Sequence, residues 1–165
     1  MIVREARRED APAMAAAWRD AGRFYVAISP DDFRVPEQRG LVDWLECGVE
    51  AMTTDKDLAL LVAERDGTVV GWVAARLVQP VADAPWQLQR ELATTRLIID
   101  AVAVAEPHRG AGTGIGLVRA AEAWGRERGA SVAVADGNWA SGMVQRFYEA
   151  RLGYRRRSVS LRKAL

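Results

Sequence analysis

At 165 residues, half of them apolar and 27% charged, the chain has the size and composition of one compact domain over residues 1–165. Such a domain buries about two-thirds of its unfolded surface, which excludes an intrinsically disordered protein. The 23 Lys and Arg balance 22 Asp and Glu for a net charge of +1, and there is one cysteine and one histidine, so a protein living by non-specific nucleic-acid binding, an internal disulfide and a structural zinc site with its common ligands are excluded, and no metal site is expected.

Residues 1–8 lack the apolar core of a signal peptide, and no run of about 18 apolar residues follows, so a cytoplasmic chain without a membrane or nucleic-acid partner is expected. Residues 2–6 read as a first strand. Asp10 is placed to cap a helix with Pro12 in its first turn, and Gly22 to end that helix. Residues 23–57 begin polar and Pro-interrupted, then show an amphipathic pattern through Leu41, Leu45 and Val49 that predicts a second helix, with Cys47 read as a core position. Two β-rich runs, 58–64 and 68–75, flank Arg65-Asp66-Gly67, and an Asp-Gly between such runs signals a hairpin. A loop or short helix over 83–92 leads to an apolar strand over 97–104. Beyond it lie a helix to about Arg128 closed by Gly129, a short strand over 131–135, and a helix from about Ala140 to Arg151 that Asn138 can cap and Gly153 stops. Residues 154–161 alternate loosely as a terminal strand. The order β-α-α-β-β-β-α-β-α-β predicts an α/β protein (α+β in its mixed sheet) with helices on both faces.

Between the apolar strand and the helix to Arg128 stands Arg109-Gly110-Ala111-Gly112-Thr113-Gly114. A strand feeding a Gly-rich turn into a helix N-terminus makes a phosphate cradle, because unpaired N–H groups point at the anion. The dinucleotide pattern G-x-G-x-x-G fails, since Ile115 or Leu117 stands where the third glycine is needed, and no Gly-Lys-Ser/Thr of a triphosphatase loop occurs. The segment resembles the R/Q-x-x-G-x-G/A loop of the GCN5-related N-acetyltransferase (GNAT) family, with Arg109, Gly112 and Gly114 at the specified places. Asn138 and the string Phe147-Tyr148-Glu149-Ala150-Arg151-Leu152-Gly153-Tyr154 extend the resemblance, with one residue more between tyrosine and glycine than the commonest form. The element order matches over essentially the whole chain, and residues 95–154 carry the specific motifs.

The resemblance implies the GNAT acyl-CoA N-acyltransferase fold, acetyl-CoA as acetyl donor and a primary amine as acceptor, joined by direct attack in a ternary complex. The amides of Gly110, Ala111, Gly112, Thr113, Gly114 and Ile115 would bind the pyrophosphate with Arg109 adding charge. The strand end Val102, Ala103 and Val104 would meet the pantetheine amides and thioester carbonyl, and Asn138 would lie by the pantetheine arm. Tyr148 is the candidate general acid, because a phenol, which ordinarily ionises near pH ~10, is protonated at neutral pH. Asp100, placed by simple alternation on the face of Val102 and Val104, is the candidate base or amine-binding group. Plainer readings stand beside these: Tyr148 as a core aromatic, Asn138 as a cap alone, His108 as an exposed loop residue. Trp44 and Trp86 are weak candidates for an acceptor pocket. Residues 23–57, on the family's acceptor side, hold eight acids against four bases, which tilts toward a cationic amine. The six bases without an acid in 151–165 read as a solvated strand. A homodimer stays open. An acyl-CoA-binding sensor without turnover is the alternative function, and a dinucleotide-dependent oxidoreductase is a distant third.

Overall fold

A computed structural model describes residues 1–137, 141–157 and 163. Five strands form one sheet in the order β1 (Ile2–Glu5), β2 (Leu58–Arg65), β3 (Thr68–Val78), β4 (Arg96–Val104), β5 (Val132–Ala135). The first four are antiparallel in sequence, and β5 runs parallel to β4. A parallel neighbour requires a crossover, and α3 (Thr113–Glu127) supplies it on one face. Helices α1 (Ala11–Ile28) and α2 (Leu41–Thr54) cover the other face. The period of two in β2 serves both layers: Leu60 and Val62 pack with α1 and α2, while Ala59, Leu61 and Ala63 join Leu117 and Ala121 of α3. Among the described residues, no helix is long and apolar enough to cross a membrane.

The hairpin forms as expected. Asp66 (φ 52°) and Gly67 (φ 77°) are both left-handed, as a two-residue turn of the primed type demands. Three expectations are corrected. First, α1 does not stop at Gly22 but runs to Ile28. Gly22 is a packing site, because a Cβ there would stand 2.5 Å from Pro36 Cδ. Second, Asp10 makes no side-chain cap to α1. Its carboxylate instead accepts the Arg7 N–H at 2.7 Å and the Arg4 fork at 2.7 and 2.9 Å. Third, Cys47 is exposed, because Leu41, Leu45 and Val49 alone form the buried stripe of α2 at i, i+4 spacing. Residues 154–157 carry no strand, and the rest of the expected terminal strand lies outside the described residues.

The last helix departs from the regular form. α4 (Gly142–Gln145) continues as a π-helix over Arg146–Arg151, and Gly153, at φ 78°, ends it. A π turn takes up one residue more than an α turn, which accommodates the extra residue between Tyr148 and Gly153. The helix opens close to the expected place: Ser141 is the buried N-cap, its Oγ accepting the Val144 N–H at 3.1 Å. Asn138, expected to cap it, lies outside the described residues.

Candidate active site

β4 and β5 pair only from Arg96 to Ile99 and from Val132 to Ala135, after which β4 continues to Val104 paired with β3 but open on its β5 edge. The unpaired stretch opens a cleft that widens into a cavity of about 2440 Å³. A single drug-sized ligand occupies about 300–1,000 Å³, so this space admits a long ligand together with a second one. Val102 and Val104 line it, as do Arg109, Gly110, Gly112, Thr113, Gly114, Ile115 and Tyr148. Ala103 is buried in the opposite layer against α1 and α2, so only its backbone can serve the cleft.

The cradle is built by backbone conformation. Gly110 (φ 79°) and Gly112 (φ 83°, the N-cap of α3) are left-handed, and no heavy atom beyond their chain neighbours lies within 4 Å of a Cβ placed on either. That leaves their surroundings free for a ligand oxygen. The first bond of the helix runs from the Gly116 N–H to the Gly112 carbonyl at 3.0 Å, so the amides of Thr113, Gly114 and Ile115 have no intrahelical acceptor. With the helix dipole they make an anion site, and the residues present fit a pyrophosphate. Gly114 has a different reason: a Cβ there would press on the Phe147 ring at 3.1 Å, so its smallness docks the Tyr148 helix against α3. Arg109 lines the same cavity. Its Nε donates to the Val104 carbonyl at 3.0 Å, and its guanidinium lies 5.8 Å from the centre of the Phe24 ring.

Tyr148 sits in the π-helical turn, edge-on to Phe147 and Tyr154 with ring centres 5.0 and 5.3 Å away. Burial first, then the nearby Tyr25 and Asp136, push its hydroxyl up to about 12. Each influence disfavours the phenolate, so the proton stays on the oxygen at neutral pH. Burial likewise raises Tyr25.

Asp100 is corrected in its face. Ala74 pairs with Ala101 and Ala75 with Ile99, so Asp100 is the extra residue of a β-bulge. The bulge breaks the alternation: Leu97, Ile99, Val102 and Val104 pack on the α3 side, while Ala101 and Ala103 pack on the α1 side. Asp100 pairs at 3.1 Å with Arg76, whose strand neighbours Ala75 and Leu77 both belong to the α3 side. Its carboxylate therefore turns to the α1 side, away from Val102 and Val104, and still borders the cavity.

Trp44 and Trp86 are 58% and 83% exposed and line no part of the cavity, which removes them from an acceptor pocket. None of the eight acids of residues 23–57 lines it either. Glu46 and Glu50 pair with Arg8 on the outer side of α2, and Asp32 accepts from Ser29. His108 is half-buried and lines the cavity rather than standing exposed. Phe24, Tyr25 and Phe33 form part of the wall, and sequence reasoning missed them. Their signal was the apolar spacing Trp18, Ala21, Tyr25, Ile28, hidden by reading Gly22 as a stop.

Similarity to known proteins extends over the fold. The model of the Acetyltransferase (GNAT) family matches residues 10–154. No match is found among curated protein sequences. Among solved structures, a mutant of the BH1408 protein from Bacillus halodurans is similar in fold, with a TM-score of 0.83 at 22% identity over 100% of this chain and 99% of that one. Glucosamine-6-phosphate N-acetyltransferase from Arabidopsis thaliana gives 0.69 at 15% identity over 99% and 97%. An aminoglycoside N-acetyltransferase solved in complex with CoA gives 0.56 at 22% identity over 77% and 90%. With its family model spanning nearly all of the described fold, this chain belongs to the acetyltransferase (GNAT) family.

Proposed function

We propose that the protein is a single-domain, cytoplasmic N-acetyltransferase that moves an acetyl group from acetyl-CoA to a primary amine by direct attack in a ternary complex. The observation that carries this reading is one cavity bordered both by the unused amides at the start of α3 and by the half-buried phenol of Tyr148. The edge of β4 beyond Ile99, which β5 does not pair, lines the same cavity at Val102 and Val104. The donor's pyrophosphate would rest on the amides of residues 110–115, its pantetheine arm would run along Val102 to Val104, and its thioester would reach Tyr148.

The chemistry then balances with groups of this chain. The neutral amine nitrogen attacks the thioester carbonyl carbon, forming the C–N bond and a tetrahedral oxyanion that a β4 backbone N–H would stabilise. Collapse breaks the C–S bond, and Tyr148 donates its proton to the departing thiolate. The ammonium proton leaves through water or to Asp100, and water returns a proton to the Tyr148 phenolate, which closes the cycle. Arg76 donates to one Asp100 oxygen, and the carboxylate keeps acceptor capacity beyond that bond. The products are an N-acetyl amine and free CoA.

A panel of primary amines assayed for release of free thiol tests the proposal. Turnover with any amine supports it. Tight acetyl-CoA binding with no turnover across the panel would replace it with an acyl-CoA-binding sensor.

A further inference from the structure

Resting on the acetyl-transfer reading, the chemistry of the acceptor side narrows the amine. The cavity wall supplied by α1 and the loop after it contains Trp18, Phe24, Tyr25, Phe33 and Pro36, and its one charged member is a cation, Arg34. Tyr25 and Phe33 stack at 4.8 Å and 30°, each covering one face of the other, and Phe24 stands edge-on to Tyr25 at 5.4 Å, so the three rings make one aromatic cluster. All three rings are half-buried, so each keeps surface toward the cavity. Asp100 turns to this same side of the sheet and borders the same space.

We propose that the acceptor is a monoamine carried on an aromatic body, with its ring against the Phe24–Tyr25–Phe33 cluster and its single ammonium toward the Asp100 end of the cavity. Aromatic faces take aromatic rings in offset or edge-on contact and tolerate one cation over a ring face. A polyamine would bring further ammonium groups to an apolar wall whose one charge is also positive, each losing hydration without a partner. An aminosugar would bring hydroxyls to a wall with few groups to receive them. The acids of residues 23–57, which as composition tilt toward a cationic amine, line no part of the cavity.

The test takes acetyl-CoA affinity first, by calorimetry, then compares thiol release with phenethylamine, spermidine and glucosamine. The expected result is kcat/KM for phenethylamine at least about tenfold above the other two, the scale on which an apolar pocket discriminates. Phe33→Ala should raise KM for phenethylamine at least about tenfold with acetyl-CoA affinity unchanged, and Phe33→Leu should fall between. Should the alanine variant fail to fold, the leucine variant decides. A preference for spermidine or glucosamine, or an unchanged KM in the folded Phe33 variants, overturns the aromatic acceptor and leaves acetyl transfer standing. Acetyl-CoA binding without turnover of all three amines overturns the aromatic acceptor as well. Absence of acetyl-CoA binding overturns the acetyl-transfer reading itself.

Discussion

At Tyr148 the functional and packing roles separate in one atom. Tyr148→Phe keeps the ring contacts to Phe147 and Tyr154 and removes only the hydroxyl. General acid catalysis is worth roughly 10²–10⁴-fold, and water can substitute in part, so kcat should fall at least about tenfold with Tm and acetyl-CoA affinity nearly unchanged. Wild-type turnover in this variant would make Tyr148 a packing residue. Because burial holds the hydroxyl near 12, its ionisation should leave no alkaline limb in the rate profile below about pH 10. Asp100→Asn keeps the shape and removes the charge that faces Arg76. If Asp100 receives the amine proton, turnover at neutral pH should drop and the acidic limb of the profile flatten, with cofactor affinity unaffected. An unchanged profile would mean that the amine arrives neutral. The residues of the cradle were legible in sequence because left-handed turns leave glycines at fixed spacing. The facing of Asp100 was not: a bulge follows from the pairing of β3 with β4 and leaves no mark on either strand alone.

Helices and strands were legible wherever their own periodicity decided them, and were misread where a neighbour did. The parallel pairing of β5 and the cleft beyond Ile99 arise between elements. The end of α1 is the clearest case, since Gly22 is an apt stop by propensity yet lies mid-helix against the loop through Pro36. This makes an unusual substitution informative. Gly→Ala inside a helix ordinarily stabilises by about 1 kcal/mol. Here the new Cβ would meet Pro36 Cδ at 2.5 Å and Val35 Cα at 3.1 Å, a rigid ring and backbone, and overpacking costs about 1–3 kcal/mol. The clash should win, so Gly22→Ala is expected to lower Tm. A higher Tm would show that the 34–36 loop gives way freely. On α3, Gly112→Asp places a carboxylate and a strained left-handed residue at the anion site. Calorimetry should find acetyl-CoA binding nearly abolished in a folded protein, and wild-type affinity would sink the cradle assignment.

Across the whole molecule, the edge strand and the two layers meet at a charged node. Arg4 of β1 makes a bidentate pair with Asp10 at the start of α1 and a bond at 2.9 Å to Glu64 of β2. Asp10 also accepts the Arg7 N–H and is 5% exposed. The Arg4 hydrogen bonds, opposed by burial and helped by the Arg7 amide, hold the Asp10 carboxyl below its ordinary range. A folded-state pKa below the unfolded value means that the unfolded chain binds the proton more readily. The stabilisation is therefore present above the unfolded value of about 3.9 and lost as pH falls through the folded one. Asp10→Asn removes the charge with little change of shape and leaves Arg4 with Glu64 alone. Breaking a buried ion pair from one side costs about 3–5 kcal/mol, and the partial exposure of Arg4 places the expected loss near the lower end, about 3 kcal/mol at pH 7. In denaturant titrations the gap between the natural protein and Asp10→Asn should stay constant from pH 8 to about pH 5, narrow below about pH 4, and close as pH falls through the lower folded value of Asp10, where both side chains are neutral. Subtracting the variant cancels the other carboxylates, so the comparison isolates this node. A gap that persisted unchanged to pH 2 would show that the Asp10 charge contributes nothing and that only its shape matters.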